Sequence, residues 1–203
     1  MINIAVFISG RGSNFLALLN NIENGTLKNC NIAVVFSNNP NAKGLEYAEK
    51  AGIKTIVIPS KNRSDREEYD KEIINALSEY NIDLICLAGY MRIVTEKLVE
   101  EYNNKIINIH PALLPSFPGL HAQKQAIDYG VKVSGCTVHF VDGGMDTGPV
   151  ILQKTVPVYD TDTEDTLSAR ILEQDHIAYS EAVALYAAGR LKVSGRKVEV
   201  LEK

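Results

Sequence analysis

Ile106 to Gly119 reads Ile-Ile-Asn-Ile-His-Pro-Ala-Leu-Leu-Pro-Ser-Phe-Pro-Gly. An apolar run of strand character ends here in a loop with three prolines. Proline stops helices and central strands because it lacks a backbone donor and fixes φ. Asn108 and His110 close the run, and residues two apart on a strand point to the same side. The stretch predicts a strand end that presents an amide and an imidazole together. Packing alone would also explain such a pair, so the surrounding chain decides between the two interpretations.

The bulk composition is typical of a globular protein, with 203 residues, 45% hydrophobic and 23% charged. A net charge of −4 disfavours a general nucleic-acid or membrane-surface binder. The cysteines Cys30, Cys86 and Cys136 are far apart and form no CxxC motif or Cys/His cluster. We therefore expect reduced thiols, a cytoplasmic protein and no metal site. The sequence shows neither a signal peptide nor a membrane-spanning run.

Strand and helix patterns alternate through the first half of the chain. The expected strands are Ile2 to Ser9, Ile32 to Phe36, Thr55 to Ile58 and Leu84 to Ala88, with Lys43 to Ala51 and Asp65 to Tyr80 among the helices between them. This alternation predicts a mostly parallel α/β sheet with right-handed crossovers. Ligands of such sheets bind beyond the carboxyl ends of the strands.

The second half predicts a different arrangement. Val133 to Val141 and Val150 to Val158 are joined only by a loop, which predicts an antiparallel pair. Thr163 to Ala188 follows helical spacing, with acidic residues at its start. The tail from Leu191 to Lys203 resembles one short edge strand. Because no linker interrupts the chain, we predict a single Rossmann-like domain over residues 1–203, with phosphate binding in its N-terminal half.

The loop Gly10-Arg11-Gly12-Ser13-Asn14 connects the first strand to a helix. Free backbone N–H groups at the start of a helix form a ready anion site, although an ordinary tight turn also fits. The loop matches neither GxGxxG nor GxxxxGK[ST], which disfavours dinucleotide and ATP binding. Ser37-Asn38-Asn39 follows the second strand, where an NAD-binding protein would carry an acidic ribose partner. A non-catalytic nucleotide-binding module remains an alternative, since it needs this loop but not Asn108 and His110.

Asp146 lies in the glycine-rich loop that follows the strand ending at Val141. The chain shows no nucleophile elbow and no metal-ligand spacing. An amide, an imidazole and a carboxylate suit direct transfer of an acyl group between two amines. Asn108 and His110 would donate hydrogen bonds to the oxyanion, and Asp146 would steer the proton from the attacking amine to the leaving nitrogen.

The motifs of this chain resemble those of the phosphoribosylglycinamide formyltransferase family, over nearly the whole length. They are Ser9-Gly10-x-Gly12-Ser13-Asn14, Leu87-Ala88-Gly89-Tyr90-Met91-Arg92-Ile93, Asn108-Ile109-His110-Pro111-Ala112-Leu113-Leu114-Pro115, Phe117-Pro118-Gly119-Leu120-His121 and Asp146-x-Gly148-Pro149-Val150-Ile151. The resemblance implies a formyltransferase fold and formyl transfer from 10-formyltetrahydrofolate to the glycine amine of glycinamide ribonucleotide, in purine synthesis. It implies neither a metal nor NAD.

The resemblance also implies residue roles. The catalytic trio is matched by Asn108, His110 and Asp146. The ribonucleotide-binding positions are matched by Gly12, Ser13, Asn14 and Asp175, and Asp175 stands where the family often carries Glu. The folate-binding positions are matched by Arg66, Met91, Arg92, Ile93, Val94, Asn108 and Asp142. In this picture the C-terminal half is folate-binding and catalytic, and the protein is a monomer or a homodimer.

Other folate enzymes share parts of this pattern and remain alternatives. Methionyl-tRNA formyltransferase carries a further RNA-binding domain, and formyltetrahydrofolate hydrolase usually carries a regulatory domain before the core. We expect neither here, because the first strand begins at Ile2 and the acidic chain stops at Lys203. Sugar-nucleotide formyltransferases also share the chemistry, but the Gly12 loop and Phe117 to His121 favour the purine enzyme.

Overall fold

The computed structural model describes residues 1–202. Contacts within the chain form two compact units, Met1–Asn108 and the part from Ile109 onward. The boundary falls inside one strand, directly after Asn108. The single domain over residues 1–203 stays a prediction. Arg66 and Met91 to Val94, which we assigned to folate, belong to the first unit and not to the C-terminal half.

The first unit is a parallel sheet with helical connections. Its elements are β1 (Ile2–Ile8), α1 (Ser13–Glu23), β2 (Cys30–Ser37), α2 (Gly44–Lys50), β3 (Lys54–Val57), α3 (Arg66–Leu77), a 3₁₀ turn (Ser78–Tyr80), β4 (Leu84–Leu87), α4 (Glu96–Glu101) and β5 (Ile106–His110). The sheet order is β3-β2-β1-β4-β5, and every pairing is parallel. β4 is apolar throughout, and β1 is apolar and buried from Ile4 to Ile8, because both faces of these central strands are covered.

The second unit contains an antiparallel pair covered by a long helix. Its elements are α5 (Ala122–Tyr129), β6 (Val133–Phe140), β7 (Val150–Pro157), α6 (Glu164–Ala187), β8 (Leu191–Ser194) and β9 (Lys197–Val200). The strand order is β6-β7-β9-β8, with β6 and β7 antiparallel. α6 packs against both β6 and β7. Thr163 caps α6 through a reciprocal hydrogen-bond pair with Thr166.

The fold-class prediction is confirmed: this is an α/β protein with a mostly parallel sheet, an antiparallel strand pair and a long C-terminal helix. One local prediction was wrong. The tail forms a hairpin of two strands, β8 and β9, and Lys203 lies outside the described residues. Thr95 stands at the N-cap position of α4 but makes no side-chain cap to that helix. Its hydroxyl instead donates to Asp70 of α3 at 2.8 Å.

None of the helices in residues 1–202 is both long enough and apolar enough to cross a membrane.

Candidate active site

The carboxylate of Asp146 lies near two imidazoles in the second unit. Its Oδ2 is 3.4 Å from His110 Nδ1, and its Oδ1 is 3.8 Å from His139 Nε2. All three side chains are largely buried, with exposed fractions of 6%, 2% and 12% for His110, His139 and Asp146. Burial weakens solvent screening, so charges within this group interact more strongly than they would in water. The structure thus brings the predicted His110 and Asp146 together.

The backbone around His110 assigns one of its protons. His110 Nε2 lies 2.8 Å from the carbonyl oxygen of Phe117. A carbonyl only accepts hydrogen bonds, so Nε2 carries a proton and donates. The other ring nitrogen of His110, Nδ1, faces Asp146. A proton on Nδ1 would be shared with Asp146 or offered to a ligand, so the pair can hold or move a proton at that atom.

His139 is a member of the cluster that the sequence analysis did not select. Its Nδ1 donates to the Phe140 carbonyl at 2.7 Å, which directs Nε2 toward Asp146. Burial lowers the pKa of His139 below its ordinary value and so favours the neutral ring. The sequence places His139 near the end of a strand but does not show that it faces Asp146.

The loop before β7 holds Asp146 in an unusual backbone conformation. Asp146 has a φ of +56°, in the left-handed region that asparagine and aspartate tolerate better than most residues. The Gly119 amide donates to Asp146 Oδ2 at 2.8 Å and fixes the side chain. A β-carbon on Gly148 would lie 1.8 Å from the Phe140 carbonyl oxygen, so only glycine fits there. The backbone conformation of the loop therefore sets the direction of the Asp146 carboxylate.

Asp142, which we assigned to the folate site, organises the same loop. Its Oδ1 accepts from the Gly144 amide at 3.0 Å and from the Thr147 hydroxyl at 2.6 Å. These bonds tie both sides of the turn to one carboxylate, an arrangement typical of aspartate in glycine-rich loops. Its folate role stays a prediction.

The proline loop is tied to the antiparallel strands by side-chain hydrogen bonds. Thr137 accepts from the Leu114 amide at 3.0 Å and donates to the Ala112 carbonyl at 2.7 Å. Gln153 donates to the Leu114 carbonyl and to the Thr137 hydroxyl, each at 2.9 Å. The Leu114–Pro115 peptide is cis. The loop after His110 is therefore fixed in the second unit by these buried polar contacts.

Asn108 is the last residue of the first unit. It lies on β5 opposite Leu87 of β4 and is half-buried. It stands two positions before His110 on the same strand.

The predicted phosphate loop lies at the start of α1 in the first unit. Gly12 has a φ of +73° and immediately precedes Ser13, the first helical residue, so Gly12 occupies the N-cap. The Oδ1 atom of Asn14 is buried and accepts no hydrogen bond. Backbone N–H groups at a helix N-terminus, flanked by Ser13 and Asn14, can receive an anion. Phosphate binding here stays a prediction.

We expect Gly12→Ala to lower the free energy of unfolding by at least about 1 to 2 kcal/mol. The φ of +73° disfavours alanine, and the new β-carbon would lie 2.7 Å from the Gly44 α-carbon. Gly10→Ala is the matched control, since its β-carbon meets nothing within 4 Å. Urea unfolding of both variants measures the difference. Equal stabilities would show that the close approach of Gly12 and Gly44 is not a constraint.

The segment Met91 to Val94 also lies in the first unit, after β4. Met91 and Ile93 are 68% and 47% exposed, whereas Val94 is only 4% exposed. Arg66 Nη2 donates to the Ile93 carbonyl at 2.9 Å. The Arg92 guanidinium lies 4.6 Å from the centre of the Tyr69 ring. Arg66 therefore lies beside this segment, to which Arg92 itself belongs. The folate roles of both arginines stay predictions.

Asp175 occupies a buried position on α6 in the second unit. Only 6% of it is exposed, and its Oδ1 accepts no hydrogen bond. The Cys136 thiol of β6 forms a hydrogen bond with the carboxyl group. Burial disfavours the carboxylate and raises the pKa of Asp175 to about 7, with the thiol contact acting in the opposite direction. Its ribonucleotide role stays a prediction.

We expect the stability of the ligand-free protein to carry a penalty from Asp175 that grows as the pH rises from about 4 to about 7. The folded-state pKa is about 7 and the ordinary value is 3.8, so the folded state holds the proton more tightly. Ionising the group therefore costs folding free energy, at about 1.4 kcal/mol for each pKa unit. Asp175→Asn removes this penalty. The free energy of unfolding of the variant should therefore rise relative to that of the parent across that pH range, and the difference should become constant at higher pH.

Thermal unfolding between pH 4 and pH 8 tests this expectation. Asp165→Asn, at an exposed position of the same helix, is the matched control. The nearby His176, whose pKa is lowered by burial, titrates in all three proteins and cancels in the differences. A stability difference between Asp175→Asn and the parent that does not change with pH would contradict the expectation.

The part of the chain that the structure describes contains no group of three or more His, Cys, Asp or Glu side chains suited to a metal ion.

Comparison with known proteins assigns the family. Residues 2–183 match the formyl transferase family. The chain is 43% identical over 191 residues to the phosphoribosylglycinamide formyltransferase of Escherichia coli K12, covering 94% of this chain and 90% of that protein. A glycinamide ribonucleotide transformylase 1 structure from Symbiobacterium toebii superposes with a TM-score of 0.96 and 46% identity, covering 100% of this chain and 95% of that one.

A longer relative carries a similar segment. The chain is 45% identical over 192 residues to the trifunctional purine biosynthetic protein adenosine-3 of Drosophila melanogaster. The match covers 94% of this chain but only 14% of that protein's length. The similarity therefore concerns one part of the trifunctional protein. On the strength of the match over residues 2–183 and the near-complete overlap with the bacterial relative, this chain belongs to the formyl transferase family, among the phosphoribosylglycinamide formyltransferases.

Proposed function

We propose that this protein transfers the formyl group of 10-formyltetrahydrofolate to the glycine amine of glycinamide ribonucleotide, a step of purine synthesis. The observation that carries the proposal is the Asp146 carboxylate 3.4 Å from His110 Nδ1, in a loop that admits only glycine at position 148. Such a pair can move a proton without a metal or a covalent intermediate. Family membership and the bacterial relative support the same reaction.

Residue roles follow the chemistry of the two units. In the first unit, Gly12, Ser13 and Asn14 would hold the substrate phosphate, and Arg66, Met91, Arg92, Ile93 and Val94 would bind the folate. In the second unit, Asp142 would shape the loop that carries Asp146 and meets the folate. Asp175, whose Oδ1 accepts no hydrogen bond, would receive a hydroxyl of the ribonucleotide.

The reaction would proceed by direct attack. The neutral amine adds to the formyl carbon, and a new C–N bond forms as the carbonyl oxygen becomes an oxyanion. Asn108 and His110 would donate hydrogen bonds to that oxyanion. Asp146, through a water, would accept the proton of the attacking amine and deliver it to the folate nitrogen as the old C–N bond breaks. The products are formylglycinamide ribonucleotide and tetrahydrofolate.

A folate-release assay tests the proposal. Purified protein is mixed with 10-formyltetrahydrofolate, with and without glycinamide ribonucleotide, and tetrahydrofolate is followed. Release only in the presence of the nucleotide is the expected result. Release without the nucleotide would overturn the proposal in favour of hydrolysis. No release from folded protein would overturn it in favour of another formyl acceptor or a binding module.

We also propose a cytoplasmic location. Cys30, Cys86 and Cys136 are buried and form no disulfide among the described residues, which is usual where thiols stay reduced. A monomer or a homodimer is the proposed assembly, acting on small molecules and not on nucleic acid or membranes.

A further inference from the structure

The segment from Met91 to Thr95, named here the 91–95 loop, combines exposed side chains with a fixed backbone. Met91 and Ile93 are 68% and 47% exposed. At the start of the loop the Met91 amide donates to the Ser9 hydroxyl at 2.8 Å. Exposed apolar side chains on a held backbone form a surface ready for a flat, partly apolar ligand. What fixes the rest of this backbone therefore bears directly on ligand binding.

One face of α3 contacts the remainder of the loop. Arg66, Tyr69 and Asp70 stand at positions i, i+3 and i+4 and so share that face. Arg66 donates to the Ile93 carbonyl at 2.9 Å, and Tyr69 receives the Arg92 guanidinium over its ring at 4.6 Å. Asp70 Oδ2 accepts from the Thr95 amide at 2.7 Å and from the Thr95 hydroxyl at 2.8 Å. Three residues of the loop, Arg92, Ile93 and Thr95, thus contact α3.

The contact that Asp70 makes with the loop is buried and involves a carboxylate. Asp70 is only 3% exposed, whereas Arg66 is exposed to solvent. A buried carboxylate is costly unless hydrogen bonds compensate it, and both of the bonds to Oδ2 come from Thr95. Moving Thr95 would remove both bonds at once. The end of the 91–95 loop is therefore held where it is by the charge on Asp70.

We propose that Asp70 is a positioning residue for folate binding, which acts by holding the 91–95 loop in its binding-competent conformation through Thr95. This inference rests on the proposed function. Without the Asp70 contact the loop spends less time in that conformation, and the apparent dissociation constant rises as the inverse of the fraction that stays binding-competent. The chemistry at Asp146 should be unaffected, because Asp70 touches no reacting atom.

The test measures tetrahydrofolate affinity by titration calorimetry, together with KM and kcat for both substrates. We expect Asp70→Ala to raise the tetrahydrofolate dissociation constant and the 10-formyltetrahydrofolate KM by about tenfold, equivalent to about 1.4 kcal/mol. The ribonucleotide KM and kcat should change less than about twofold, as a binding-only effect requires. Glu67→Gln, an exposed neighbour on α3, is the matched control.

A milder pair keeps the inference testable if Asp70→Ala does not fold. Thr95→Val removes the hydroxyl donor but keeps the amide, so we expect about a threefold loss of folate affinity. Thr95→Ser restores the hydroxyl and should restore the affinity. A purely structural role would lower the active fraction and hence kcat, leaving both KM values unchanged, and that result would overturn the inference. Parent protein that binds no tetrahydrofolate would instead overturn the proposed function.

Discussion

Asp146→Asn should lower kcat by at least about two to three decades while leaving the protein folded. The carboxylate lies 3.4 Å from His110 Nδ1 and 3.8 Å from His139 Nε2, so it faces both rings. An amide has the same shape but cannot take up the proton of the attacking amine. The substitution therefore removes the proposed proton transfer and the charge beside the imidazoles together.

The fold should tolerate this change for local reasons. Asparagine accepts a φ of +56° about as readily as aspartate does, and its side-chain oxygen can still accept from the Gly119 amide. Thermal unfolding should therefore give a melting temperature close to that of the parent. Any loss of turnover then reports chemistry and not collapse of the loop.

The turnover rate of Asp146→Asn is measured by single-turnover kinetics at saturating concentrations of both substrates. Asp128→Asn is a suitable control, because Asp128 is an exposed carboxylate that pairs with Lys124 on α5. It should keep full turnover. Near-normal kcat in folded Asp146→Asn would remove Asp146 from the mechanism and leave the proposal with no proton carrier at this site.

Much of the fold was predictable because its signals are local. The apolar runs of β1 and β4 and the helical spacing of α6 depend only on neighbouring residues. The tail hairpin was missed although Ser194-Gly195-Arg196-Lys197 contains a two-residue turn with Gly195 at a φ of +57°. That signal was present, and a single apolar pattern over the whole tail concealed it.

The site was predictable only in part, because its remaining members depend on tertiary contacts. His139 reaches Asp146 through the pairing of β6 with β7 and the turn between them, which no spacing along the chain specifies. Thr95 stands at the N-cap position of α4, yet its hydroxyl donates to a buried carboxylate 25 residues earlier in the chain. Contacts of this kind override local preference because burial makes an unpaired charge costly.

Asn108→Ala is expected to lower kcat by about two to three decades, the typical effect of removing one oxyanion donor. Asn108 lies at the carboxyl end of a parallel strand, the position where α/β sheets bind ligands, and His110 follows two residues later on β5. The amide would donate to an oxygen that carries full negative charge only after the amine has attacked. Its contribution should therefore be largest in the transition state.

Steady-state kinetics separate this role from simple binding. Loss of a transition-state contact lowers kcat and kcat/KM together, so KM for both substrates should stay within a few-fold of the parent. Asn103→Ala, at an exposed position shortly before β5, is the matched control and should be fully active. A variant at position 108 with raised KM and unchanged kcat would make Asn108 a substrate-binding residue, and the oxyanion would then depend on His110 alone.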